Sequence, residues 1–182
     1  MNTCPKFPKR LLRIPAPVLL FLLLTAGSVS TTAQYLGALP RSLAGTWRIT
    51  RMLPTTNTGC WTPQQAQHLL GTTLTYRSDL LRWHGGQIPV TDVSLRDLTN
   101  QEFREENAGA NTPASFAQLG IHTEKVIEVD LQHEDSDVLP ASTAVPGDSV
   151  LLAGPNRIIV SACGVYFEAT RATSSTTHSS GK

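Results

Sequence analysis

From residue 44 onward most segments alternate apolar and polar positions with a period of two, the mark of strands buried on one face only. In Gly45-Thr46-Trp47-Arg48-Ile49-Thr50-Arg51-Met52-Leu53 the alternation puts Trp47, Ile49 and Leu53 on one face and Thr46, Arg48 and Thr50 on the other, until Pro54 stops the strand. Thr62-Pro63-Gln64-Gln65 then supplies an N-cap, a proline at the first helical position and a capping-box glutamine. These predict a helix of about two turns, terminated at Gly71. Thr72 to Arg77 alternates again, with Leu74 and Tyr76 together. Leu80 to His84 and Gln87 to Val93 predict two strands about a Gly85-Gly86 turn, and Pro89 demotes the second to an edge or a bulge.

A second capping box, Thr99-Asn100-Gln101-Glu102, opens a short polar helix that ends near Asn107-Ala108-Gly109. Thr112-Pro113 starts another single turn before Leu119-Gly120, so residues 95–122 read as an insertion of short helices and loop. Thr99 to Ala114, polar and with few anchors, is its expected mobile part. Lys125 to Leu131 is the clearest alternating strand, with Ile127, Val129 and Leu131 inward and Glu128 and Asp130 outward. Gln132 to Gly147 has turn composition. Asp148–Ala153 and Arg157–Ala162 then form an apolar hairpin about Gly154-Pro155-Asn156, and Gly164 precedes a last strand, Val165 to Arg171. The Ser/Thr-rich segment Ala172 to Lys182 lacks an apolar anchor, which predicts disorder. Seven or eight short antiparallel strands imply an all-β fold, a sandwich or a closed barrel. A small antiparallel barrel suits this length, because closure removes exposed edges.

The charge balance changes once the N-terminus is considered. Lys6, Lys9, Arg10 and Arg13 precede the apolar run Val18 to Leu24, and Thr31-Thr32-Ala33 comes after it, the pattern of a signal peptide over residues 1–33. An uncleaved anchor is the rival reading, but the run is shorter than the roughly 20 residues a spanning helix needs. Cleavage before Gln34 leaves 11 basic residues against 14 acidic, a net charge of −3. Without clustered Lys and Arg, a nucleic-acid footprint is absent. The expected organisation is a signal at 1–33, a lead at 34–43, a β-barrel domain at 44–171 and a tail at 172–182, in a periplasmic or secreted monomer with no transmembrane segment after cleavage.

Export also changes the reading of Cys60 and Cys163, the two cysteines of the mature chain. An even pair in an oxidising compartment favours a disulfide closing a loop of about 100 residues, for which chain entropy allows roughly 4–5 kcal/mol. Two buried thiols are the alternative. Neither cysteine has the spacing of a redox or zinc site.

Gly45-Thr46-Trp47, opening the first strand, resembles the glycine-x-tryptophan signature of the lipocalins and related small calycin barrels. The resemblance implies that Trp47 packs at the closed end of a barrel and that an arginine at the end of the final strand lies across its ring. Arg171 fits, since it shares a face with Ala169, Phe167 and Val165 and would otherwise point inward uncompensated. It further implies a small apolar ligand in the barrel mouth, for which Trp83, Tyr76 and Tyr166 are the candidate contacts.

Catalytic chemistry has less to rest on. His68, His84, His122, His133 and His178 show no metal spacing. Glu134-Asp135-Ser136-Asp137 lacks the glycine and distant glutamate of a calcium loop, and Asp79, Asp92 and Asp97 are dispersed. No G-x-S-x-G elbow is present, and Ser161 stands inside a strand. Neither a catalytic residue, a metal nor a cofactor is expected. Three functions remain open: a non-catalytic ligand-binding barrel, which leads; a protein-interaction or inhibitor module of the cell envelope; and a hydrolase assembled from scattered residues. A hollow barrel interior favours the first, an exposed apolar patch on the insertion the second, and converging groups with perturbed pKa values the third.

Overall fold

The computed structural model describes residues 35–54, 62–108, 114–133 and 145–173. Expectations for the signal, the acidic turn, Thr112-Pro113 and the tail beyond residue 173 lie outside them. In chain order the elements are β1 (Tyr35–Leu36), β2 (Gly45–Met52), α1 (Pro63–Gln67), β3 (Thr73–Arg77), β4 (Leu80–Trp83), β5 (Gly86–Pro89), β6 (Asp92–Thr99), α2 (Asn100–Glu106), β7 (Lys125–Gln132), β8 (Ser149–Gly154), β9 (Arg157–Ala162) and β10 (Val165–Arg171). The fold is all-β. One antiparallel sheet, in the order β1-β6-β7-β8-β9-β10-β2-β3-β4-β5, curls into a half-barrel.

Ten strands exceed the expected seven or eight, and Pro89 explains most of the excess. Pairing passes between consecutive residues: Val90 N–H donates to Asp79 O, beside β4, while Thr91 N–H donates to Gln132 O on β7. Ile88 and, past the bend, Val93 both pack in the inward cluster. Gly86–Thr99 is thus one extended run whose first half pairs with β4 and whose second half pairs with β7. Counted as a single bent strand, it gives the ladder the connectivity of an eight-stranded meander, with β10 returning to β2 and the two-residue β1 on the free edge of β6.

The inward face gathers Trp47, Ile49, Leu74, Tyr76, Leu81, Ile88, Val129, Val150, Ile158, Val160, Phe167 and Ala169. The Tyr76 hydroxyl donates to Gly147 O at 3.2 Å, and this contact joins β3 to the start of β8, which lies four ladder positions away. Such a contact exists only because the sheet curls.

Leu53 does not share the Trp47 face. The β2–β10 register passes from Ile49↔Ala169 to Arg51↔Glu168, leaving Thr50 unpaired as a bulge. The extra residue inverts the alternation of the remaining strand, so Met52 joins the inward cluster and Leu53 the outward one. The strand period is likewise imperfect in β7, where Ile127 is 43% exposed and Glu128 only 8%.

A second cluster buries the outward face: Leu53, Leu98, Val126, Leu151 and Ile159 from the sheet against Phe103, Ala114, Phe116, Leu119 and Ile121. The insertion therefore begins at Asn100 rather than 95, and its described residues are anchored by these side chains. Thr99 caps α2 with the expected reciprocal bonds to Glu102, while Phe103 faces the sheet and packs on Phe116 and Tyr166 at ring distances of 5.5 and 5.6 Å. Asn100 Oδ1 accepts from Phe116 N–H, and Arg157 donates to the carbonyls of Leu119 and Gly120 at 2.6 and 3.1 Å. The first capping box also forms, at Thr62 and Gln65, but α1 is only five residues long and a turn completes the segment to Gly71.

Candidate functional site

Strand ends fall into two groups. At the start of β2, Arg171 from the end of β10 lies over the Trp47 ring at 4.3 Å from its centroid, and its guanidinium donates to Ala44 O and Ser42 O at 2.9 and 2.6 Å. Trp47 Nε1 donates to Leu43 O at 2.7 Å, and the Pro40–Leu43 turn carries the fully buried Leu43 against this end. Gly45 has φ +123, a conformation that strains any side chain, and a Cβ there would meet Arg171 Nη1 at 2.8 Å, so the glycine leaves the arginine its place. The indole and the guanidinium both find acceptors here, which makes this a sealed end.

The other group carries the β2–β3 connection through α1, the β7–β8 connection, and the two-residue turns from β4 to β5 and from β9 to β10. The long β6–β7 connection through α2 leaves from the Trp47 end. Trp83 closes β4 on the inward face, since its ladder partner is the buried Leu74. Its ring stands edge-on to His84, 4.6 Å between centroids, and its Nε1 is buried with no hydrogen-bond partner. Asp148 precedes β8, and its carbonyl accepts from Leu131 N–H, which puts the side chain in the inward row with Val150 and Leu152. Asp148 Oδ2 pairs with His133 Nε2 at 3.3 Å, whereas Oδ1 is buried and unpartnered. Burial pushes the Asp148 carboxyl above the usual range, against the pull of His133. Leu74 ties the two orphans to one region: it pairs with Trp83, and its Cδ1 lies 3.4 Å from where a Cβ on Gly147 would stand. A buried unpaired donor or acceptor costs about 1–3 kcal/mol, and two on the inward face of one sheet need an explanation.

Of the candidate contacts, Trp83 and Tyr76 share the inward face and Tyr166 does not. Tyr76 is fully buried; burial, and then Asp148, hold its hydroxyl far above the usual phenol range, so it stays a neutral donor. Tyr166 alternates with Val165 and Phe167 and therefore points outward, where its hydroxyl donates to Asn107 Oδ1 at 3.0 Å.

Tyr166 belongs to a polar cluster under α2. Arg96 makes a two-point contact with Glu106 of α2, at 2.6 and 2.7 Å, and its Nε reaches Glu128 of β7 at 2.5 Å. Glu128 also accepts from Ser149 at 3.1 Å. Burial and Asp130 raise the Glu128 carboxyl despite Arg96. Glu106, Glu128, Ser149 and Tyr166, with Ser161 and Phe103, line a cavity of about 70 Å³. Arg96 binds both carboxylates, leaving neither as a free base, so the cluster is a clip between helix and sheet.

Among the described residues no three His, Cys, Asp or Glu side chains group as a metal site. No helix of theirs is long and apolar enough to cross a membrane, which leaves strands out of account. Cys163 sits in the β9–β10 turn at φ 51 and is not a free thiol; Cys60 lies outside the described residues, and with it the pairing of the two. Neither Asp148 nor Gly147 is among the residues that sequence pattern singles out. The available signal is a charged residue two positions before Val150, in the inward row of an otherwise apolar strand.

Nothing matches this chain among protein-family models, curated proteins or solved structures.

Proposed function

We propose that this chain is an exported, non-catalytic protein that binds a small, largely apolar ligand at the loop-rich end of a lipocalin-like barrel, in the periplasm or outside the cell. One observation carries the reading: the orphaned Trp83 Nε1 and Asp148 Oδ1 on the inward face. A folded chain keeps such atoms unpaired only where strain, an unseen water or a ligand accounts for them, and their position at the strand ends away from the Trp47–Arg171 seal favours a ligand. The inward cluster below them is tightly packed, so the ligand is small and sits above a floor formed by Leu74, Tyr76 and Phe167. Arg96 engages the raised Glu128 carboxyl under α2, which weakens the hydrolase reading. A Cys60–Cys163 disulfide would fasten the β2–β3 connection to the same end.

Saturable enhancement of an environment-sensitive apolar dye by the mature protein, lost on competition with a small apolar compound and weakened at least fivefold by Trp83→Phe, tests the proposal. A folded protein showing no saturable uptake of dye would remove it.

A further inference from the structure

The layer of α2 and residues 114–121 packs on β6–β9, whereas the outward side of β2–β5 stays largely exposed. There the ladder sets Thr46, Thr75, Arg82 and Gln87 in one row, with Arg48 opposite Thr73 on one flank and Arg77 opposite Leu80 on the other. Arginines that stand singly along the chain thus form a triangle whose sides, from strand spacing and rise, are about 8, 12 and 14 Å. Arg48 donates to Gly71 O at 3.2 Å, and among the described residues none of the three has a carboxylate partner. The charge of the chain is divided accordingly. Residues 34–91 hold five arginines and one acid, Asp79, for +4, while residues 92–182 hold thirteen acids and six basic residues, for −7.

Independently of the ligand reading above, we infer that the outward face of β2–β5 is an electrostatic docking surface for a membrane rich in anionic phospholipid. A guanidinium fork matches phosphate oxygens, and the threonines between the arginines add hydroxyl donors. Three cations set in a triangle meet anions spread over an area, not along one chain. A protein partner, a second copy included, would need an apolar anchor, and the exposed large apolar side chains among the described residues, Leu70 and Ile127, both lie off this face. Docking at head-group level needs no such anchor and is screened by salt.

Vesicle co-sedimentation of the mature protein, free of the basic and apolar N-terminal run, tests this. At low salt, phosphatidylcholine vesicles containing phosphatidylglycerol should bind it at least about tenfold more tightly than phosphatidylcholine alone, and high salt should close the gap. Arg77→Gln combined with Arg82→Gln should weaken that binding by roughly twentyfold, about fivefold for each charge. Arg104→Gln, on α2, should leave it unchanged, and thermal unfolding checks that both variants fold. Equal binding to the two vesicles, or equal loss in both variants, would overturn the inference. So would failure to bind either vesicle, and heparin retention or salt-sensitive self-association lost in the double variant would then assign the face to a chain-like polyanion or to a second copy.

Discussion

The inward and outward faces of this sheet are both apolar, yet they are buried by different means. The inward face is covered by the sheet's own far side, as the Tyr76–Gly147 and Leu74–Gly147 contacts show. The outward face is covered over part of its extent by α2 and residues 114–121, pinned by Phe103, by the Arg96 clip and by Arg157. One core therefore exists only when the whole meander has curled, while the other is a local layer added to a few strands. Loss of an inward side chain should act globally, and loss of an outward one should act mainly on the layer.

The sharpest break of that comparison comes from paired truncations. Phe167→Ala should cost about 3–5 kcal/mol and raise hydrogen exchange throughout the sheet. Phe103→Ala should fall at the lower end of that range, because α2 can settle into the space, with faster exchange confined to residues 100–121. Uniform exchange changes in both variants would show one cooperative core.

Gly147→Ala probes the curl itself. The residue has φ +99 and a Cβ there would stand 2.2 Å from the Tyr76 hydroxyl, so the substitution should lower stability by about 1–3 kcal/mol in urea unfolding. Adding Tyr76→Phe should return part of the loss but not the part due to backbone strain. No loss in the single variant would mean that the two segments do not meet.

A double-mutant cycle of Trp47→Leu and Arg171→Met should give a coupling of roughly 0.5–2 kcal/mol. Ligand affinity at the opposite end should stay unchanged. Strict additivity would remove the sealed end from the comparison.

The smallest effects separate two carboxylates of the outward face by pH. For Glu168, burial alone would raise the carboxyl, but Arg157 and Arg51 hold it below its ordinary value. Its contribution is thus present above the unfolded glutamate value of about 4.3 and is lost as pH falls through the lower folded value. Glu128 is raised, so its contribution is full below that unfolded value and declines as pH rises through the folded one. Glu168→Gln should cost about 1 kcal/mol at pH 7 and converge on the parent in acid, whereas the stability of Glu128→Gln relative to the parent should improve as pH rises. Melting temperatures across pH 3–7 read both, and parallel curves would contradict the assignment.

Much of the fold is legible in the sequence because its signals are local. Both capping boxes form where Thr62 and Thr99 announce them, and the last strand, β10, keeps closely to the alternation. The departures share a cause. Leu53 changes face because a bulge at Thr50 inserts one residue, and nothing in its own neighbours marks that insertion. Gln87 to Val93 reads locally as one strand with one partner, because a ladder handing over from β4 to β7 is a property of the sheet. The insertion reads as unanchored because Phe103, Phe116, Leu119 and Ile121 show no strong period, and only the apolar outward face of β6–β9 gives them a surface to cover. Of the candidate contacts, parity alone separates Tyr166 from Trp83 and Tyr76, since Tyr166 alternates with Val165 and Phe167.

Local sequence was enough to set the all-β class, the element order and the inward row of each regular strand. Those come from periods of two and from residues whose backbone or capping demands act within a few positions. It took the assembled sheet to put Asp148 on the inward face with Trp83, to require that Gly147 lack a side chain beside Tyr76, and to join a helix to the strands through Arg96. Each depends on residues tens of positions apart, brought together by the curl of the ladder, and no local preference encodes that curl.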